Sequence, residues 1–321
     1  MIPETTLNLI FFLVSCLALF LSGTLLVKAL VKISGFLKMS KFVTAFIIMA
    51  FSTSLPELFV GISSAIAKNP ALALGTVIGS NIADIGLVGG IVLLVARKIN
   101  IGQKTIIKDS TIMVLMTILP LVLMWIGKEL SRIDGVILTA AFIFYLWKLV
   151  KEEKRFSGKA INNINRWIVL ASALGFIASL ILLFVSSRYV VFYGNLLAMD
   201  LLLPPIFVGL FFVALGTSLP ELVFETRAIM MGYKDFALGD LMGSVVCNST
   251  LVLGVTALIY PITAQLFLFF TSAIFMITLA VLFTAFVETG KLSWRTGIGL
   301  LMLYILFIIV ELSLKGRFYG A

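Results

Sequence analysis

The chain has no histidine. That removes imidazole from the roles it commonly fills: zinc or copper ligand, proton relay, and general base beside a serine or cysteine nucleophile. Cysteine is nearly as scarce, with two copies, Cys16 and Cys247, each inside an apolar run. They have no metal-ligand spacing and suggest no disulfide framework. Charge is thin as well, at 12% of residues, against about a quarter in a soluble domain. Any metal chemistry must therefore use oxygen from carboxylates, hydroxyls, amides and carbonyls. That donor type suits Ca²⁺, Na⁺, Mg²⁺ or Mn²⁺.

Apolar residues fill the space that charge leaves. They make up 61% of the chain, and the mean hydropathy is +1.18. This is the composition of an integral membrane protein. A helix needs about 20 apolar residues to cross a bilayer. On that ruler the sequence predicts ten spans: 7–31, 42–67, 71–96, 109–127 and 134–150, then 166–190, 203–231, 236–260, 263–287 and 294–314. The only punctuation between the seventh and eighth is Met231 to Asp235, MGYKD. The N-terminus lacks the basic region of a cleavable signal peptide, since its lysines follow the first apolar run.

The net charge of +9 has its own explanation. With loops placed on alternate sides, eighteen of the 24 lysines and arginines fall on one side. By the positive-inside rule that side is the cytoplasm, which puts both termini outside and calls for an even number of spans. The basic excess is a topology signal and needs no nucleic-acid partner. The expected setting is the cell membrane, with the lipid bilayer as surroundings and a monomer as the functional unit. The one sizeable polar segment, Lys151 to Asn165, reads as a cytoplasmic linker between halves 1–150 and 166–321.

Those halves repeat. A shift of 164 positions lays Thr53-Ser54-Leu55-Pro56-Glu57-Leu58 on Thr217-Ser218-Leu219-Pro220-Glu221-Leu222. Without a gap it also lays Ala73-Leu74-Gly75 on Ala237-Leu238-Gly239, Gly79-Ser80 on Gly243-Ser244, and Leu87-Val88 on Leu251-Val252. Five spans per half is an odd number, so the second half enters the membrane from the opposite side. The expected fold is all-α, two inverted five-helix repeats with proline-broken helices at the centre. Inverted repeats of this kind signal a transporter, with its site at mid-membrane.

Each repeat carries an acid where an acid is costly. A carboxylate at the bilayer centre costs roughly 2.5–3.5 kcal/mol on insertion scales, so it marks function by default. Thr53 and Glu57 stand at i and i+4 on one helix face with Ser54 beside it, and Thr217, Ser218 and Glu221 repeat the pattern. Pro56 leaves the carbonyl of Ser52 without its helical donor, and Pro220 does the same for Gly216. Carbonyls freed at that depth are tolerated only where they are buried or line a cavity. The following spans add Ser80 and Asp84, then Ser244 and Asn248. Three carboxylates, Glu57, Glu221 and Asp84, thus gather with hydroxyls, an amide and glycines that let helices close up. Two opposed glutamates neutralise one Ca²⁺, and the third acid favours several monovalent ions when it leaves.

A structural alternative exists for each copy. Ser54-x-x-Glu57 and Ser218-x-x-Glu221 match a capping box that would restart a kinked helix. Asp240 and Glu225 lie one turn toward the cytoplasm from the shared face. They would pair with Arg227 or Lys234, or else line a cytoplasmic vestibule or accept protons. Glu129, Asp134, Glu288 and Glu311 read as interfacial. An intramembrane protease is disfavoured, because Ala237 stands two places before Gly239 where a GxGD motif needs glycine. A channel is disfavoured by the opposed repeats.

The paired TSLPE and GS blocks resemble the α-repeats of the cation/Ca²⁺ exchanger superfamily, in the pattern of prokaryotic sodium/calcium exchangers. The resemblance covers both halves, with motifs at 43–90 and 207–254. It implies a ten-helix antiporter that needs no cofactor and is no enzyme, moving Ca²⁺ against Na⁺, with H⁺ as the alternative coupling ion. It carries Glu57 and Glu221 over as central Ca²⁺ ligands, and Thr53, Ser54, Thr217, Ser218, Ser80 and Ser244 as surrounding oxygens. The carbonyls of Ala50 and Ala214 become Na⁺ ligands, and the first and sixth spans become a sliding gate. One departure stands out. The prokaryotic pattern ends its first repeat in Asn and its second in Asp, whereas here Asp84 comes first and Asn248 second.

Overall fold

The computed structural model describes residues 4–36, 50–101, 104–153, 166–202, 205–263 and 266–319. Residues 42–49 of the second expected span, Lys38, Lys41 and the 154–165 part of the linker lie outside the described residues. Helices dominate. α1 is Glu4–Phe36. α2 comes in two pieces, α2a (Ala50–Thr53) and α2b (Leu55–Ile66). α3 runs as α3a (Pro70–Ile82), a π-helical turn (Ala83–Val88) and α3b (Gly89–Ala96). α4 is Lys104–Gly127 and α5 is Arg132–Glu153.

α6, Arg166–Asp200, opens the second half. α7 begins as Pro205–Phe207, passes through a π-helical turn (Val208–Val213) and continues as α7a (Ala214–Thr217) and α7b (Leu219–Met230). α8 consists of α8a (Lys234–Cys247), a π-helical turn (Asn248–Val252) and α8b (Leu253–Ile259). α9 is Leu266–Glu288 and α10 is Trp294–Tyr319. Eight helices among the described residues are long and apolar enough to cross a membrane. Large apolar side chains on α1 and α6, such as Leu13, Leu17, Leu174 and Ile181, face outward, as a lipid solvent requires.

Four short strands clip the ends. β1 (Lys98–Asn100) pairs antiparallel with β4 (Lys291–Ser293), Ile99 opposite Leu292. β2 (Glu129–Leu130) pairs antiparallel with β3 (Ile262–Thr263). α4 separates β1 from β2, so the two clips sit at opposite ends of the helices. Lys234 Nζ donates to the Lys98 carbonyl at 2.8 Å, which puts the α7–α8 turn at the β1–β4 end. At the end of α6, Asp200 Oδ2 accepts from Asn8 Nδ2 of α1 at 2.9 Å.

The turns after α2b and α7b match bond for bond. Ala67, Lys68 and Asn69 donate to Ser63, Ala65 and Ser64, as Met231, Gly232 and Tyr233 donate to Arg227, Ile229 and Ala228. Lys68 and Gly232 both hold positive φ, at 56° and 84°. The punctuation at Met231 to Asp235 is thus a tight helix stop, with α8 starting at once.

Two expectations need correction. The sixth span does not end at 190. α6 runs 35 residues to Asp200, because its sequence stays apolar beyond Arg188, which sits exposed within the helix and not in a loop. At 1.5 Å per residue that is about 52 Å, longer than a ~30 Å hydrocarbon layer. Glu311 is not interfacial either. It is fully buried between α9 and α10, accepting from Thr271 Oγ1 at 2.8 Å and Ser272 Oγ at 2.6 Å. Glu288 is exposed, and Asp134 caps α5 by accepting from Ser131 N at 2.8 Å.

Candidate cation site

The two broken helices set the site. Pro56 and Pro220 sit in the first turns of α2b and α7b, where a missing N–H costs nothing. The break falls just before them, at Ser54 (φ −80°, ψ 0°) and Ser218 (φ −81°, ψ 0°). Glu57 and Glu221 occupy those same first turns, where the positive helix end favours a carboxylate. Both are buried, at 1% and 0% exposure. Gly75 and Gly79 of α3a let the α7 backbone through, since a Cβ on either would collide with the carbonyl of Ile206 or Leu210.

The halves are joined across the centre by hydroxyls. Thr53 Oγ1 lies 3.2 Å from Ser244 Oγ. The counterpart pair, Thr217 Oγ1 and Ser80 Oγ, lies at 3.1 Å. Ser80 Oγ also donates to Glu57 Oε1 at 3.2 Å. Each threonine of a broken helix therefore meets the serine of the other half's third helix. Asp84 and Asn248 stand in or at the start of the matching π-helical turns and are wholly buried.

Acceptors far outnumber donors here. Among the described residues both oxygens of Glu221 and both amide atoms of Asn248 have no hydrogen-bond partner, and the Ser218 hydroxyl stands by Asp84. Their carboxylates are close enough for charges to interact, Glu221 with Glu57, Asp84 and Asp240. No lysine or arginine is among the buried described residues. Buried acids without donors are costly unless something positive balances them. No three acids among the described residues form a ready-made metal cluster, so a cation would draw on hydroxyl, amide and carbonyl oxygens too.

The capping-box reading fails, because neither Ser54 nor Ser218 makes a side-chain cap bond. The interfacial pairing of Asp240 and Glu225 fails as well. Both are fully buried, Asp240 beside the Thr53 hydroxyl, while Arg227 is exposed and Lys234 bonds to Lys98. The Ala214 carbonyl accepts from Ser218 N at 3.0 Å and Thr217 Oγ1 at 3.1 Å. Ala50 opens the described part of α2a, and its side chain is outside the described set.

The sequence reading missed Asn81 and Ser249. Both are buried, and Asn81 Nδ2 donates to Ser249 Oγ at 2.8 Å, bridging α3 to the π-helical turn of α8. The signal was their position beside Ser80 and Asn248.

A pocket so rich in acceptors, inside a multi-pass membrane protein, belongs to a carrier of positive ions. The chain matches the family model described as sodium/calcium exchanger protein over residues 7–151 and 171–312, and it belongs to that family. It is 29% identical to the sodium/calcium exchanger MaX1 of Methanosarcina acetivorans, covering 95% of this chain and 98% of the relative. It is also 29% identical to the inner membrane protein YrbG of Escherichia coli, over 67% and 68% of the two chains. Among solved structures, the sodium-calcium exchanger NCX_Mj soaked with 2.5 mM Na⁺ and 0.1 mM Ca²⁺ superposes with a TM-score of 0.68. That match has 28% identity and covers 94% of this chain and 98% of the other.

Proposed function

We propose that the protein is a secondary antiporter that exchanges Ca²⁺ for Na⁺ by alternating access. Residues 1–150 and 166–321 act as inverted five-helix repeats joined by the 151–165 linker. The termini face outward and the basic loops face the cytoplasm. The observation that carries this reading is the crossed hydroxyl pairing, Thr53 with Ser244 and Thr217 with Ser80, around two buried glutamates. Glu57 and Glu221 supply two negative charges to one Ca²⁺, and the hydroxyls and Asn248 complete its oxygen shell. Asp84 adds the charge that suits Na⁺ in the emptied pocket, and the Ala50 and Ala214 carbonyls extend the Na⁺ ligand set. Two loads that need the same oxygens cannot be held together, and that exclusion couples their movements. α1 and α6, which pack on each other extensively along their lengths, slide as the gate.

The test is ⁴⁵Ca²⁺ uptake into liposomes holding the purified protein. An outward Na⁺ gradient should drive uptake and a pH gradient should not. Uptake driven by pH alone overturns the Na⁺ assignment.

A further inference from the structure

We propose that Glu225 and Asp240 form a second cation site, on the β1–β4 side of the Glu57–Glu221 pocket, that takes a hard divalent ion such as Ca²⁺. This rests on reading the central pocket as a Ca²⁺ site. Glu225 lies one turn beyond Glu221 on α7b, and Asp240 one turn before Ser244 on α8a. The two helices pack together. Both side chains are fully buried, neither oxygen of Glu225 has a hydrogen-bond donor among the described residues, and Asp240 has the Thr53 hydroxyl to offer it one. Their charges interact, and Glu225 also interacts with Asp84, which reaches in from α3 and is equally buried. The neighbouring Thr226 hydroxyl is buried without a partner too, while Thr53 lies beside Asp240. The donor set is all oxygen, with two negative charges, as hard divalent ions require.

The other half of the chain shows that packing does not demand these acids. The shift of 164 puts Gly61 and Thr76 at their places. Gly61 closes against Thr256 of α8b, and Thr76 Oγ1 turns back to the Leu72 carbonyl at 2.9 Å. A glycine and a self-satisfied threonine fill these positions without any charge. Carboxylates at the same places in the second half carry a burial cost that a bound cation would offset. The second site stands on one side of the centre only, the side of the basic loops.

Equilibrium dialysis of ⁴⁵Ca²⁺ with the purified full chain, in detergent and without Na⁺, tests this. The wild type should bind two ions per chain at saturation. Glu225→Gln/Asp240→Asn should bind one, as should Glu57→Gln/Glu221→Gln. The single change Glu225→Gln, which leaves more of the buried network intact, should weaken one of two binding steps about tenfold or more. A wild type saturating at one ion, or a double variant at Glu225 and Asp240 still binding two, overturns the second site. The same preparation in liposomes separates the two claims. Na⁺-driven flux with one bound ion sinks the second site alone. Two bound ions without such flux sink the exchange reading alone.

Discussion

Lys68 and Gly232 occupy one place in two turns with the same hydrogen bonds, yet only glycine suits the left-handed backbone found at both. Lys128 and Gly290 differ in the same way at the ends of α4 and α9, with φ of 59° and 75°. At these two pairs of turns the first half holds strained lysines where the second has relaxed glycines, although Leu202 of the second half also takes positive φ, at 53°. At the centre the contrast concerns charge. The first half offers Glu57 and Asp84, and the second offers Glu221, Asn248, Asp240 and Glu225, all buried. The backbone keeps the repeat while the acids depart from it. Main-chain bonds and crossed hydroxyls hold the two halves in register, so ionisable side chains are free to differ.

The largest expected effect probes what the halves share. Glu57→Gln and Glu221→Gln should each lower Ca²⁺ flux at least about 30-fold, on the 2–5 kcal/mol scale for truncating one member of a buried charged set. Flux assays in which only one variant fails would break the equivalence. Next comes Asp84→Asn, which should flatten the Na⁺ dependence of flux more than it weakens Ca²⁺ binding. Adding Asn248→Asp should restore part of that dependence. If the double exchange restores nothing, Asp84 acts through its place in α3 and not through its charge.

Smaller effects sharpen the hydroxyl pairs. Ser80→Ala removes contacts to both Glu57 and Thr217, while Ser244→Ala removes the one to Thr53. At about 1 kcal/mol per hydrogen bond, half-saturating Ca²⁺ should rise more for Ser80→Ala, by roughly fivefold or beyond. The smallest effect is on stability. Lys68→Gly should raise unfolding free energy by about 0.5–1 kcal/mol, since strain relief outweighs the added freedom of the unfolded chain. Gly232→Lys should lower it. Thermal melts in detergent decide the sign of both.

Much of this was legible in the sequence because it is written twice. A bend in each proline-bearing helix, the paired glutamates and the two third-helix serines followed from one shift and the chemistry of proline, while the breaks themselves fall at Ser54 and Ser218, two residues beyond the carbonyls of Ser52 and Gly216 that proline was expected to free. Three things were not legible. The π-helical turns under Asp84 and Asn248 depend on how helices press together, which local composition does not record. Arg188 looked like a span end because charge usually marks one, but on a long exposed helix it is carried outside the core. Glu311 was read as interfacial for the same reason, and only the fold supplies Thr271 and Ser272 to hold it.

The clips β1–β4 and β2–β3 have a mechanical consequence. Each ties a strand of one half to a strand of the other, at opposite ends of the molecule. Swinging the two halves apart like a clamshell would break the backbone pairing at one end or the other. α1 and α6 are long elements that no strand pair among the described residues ties down.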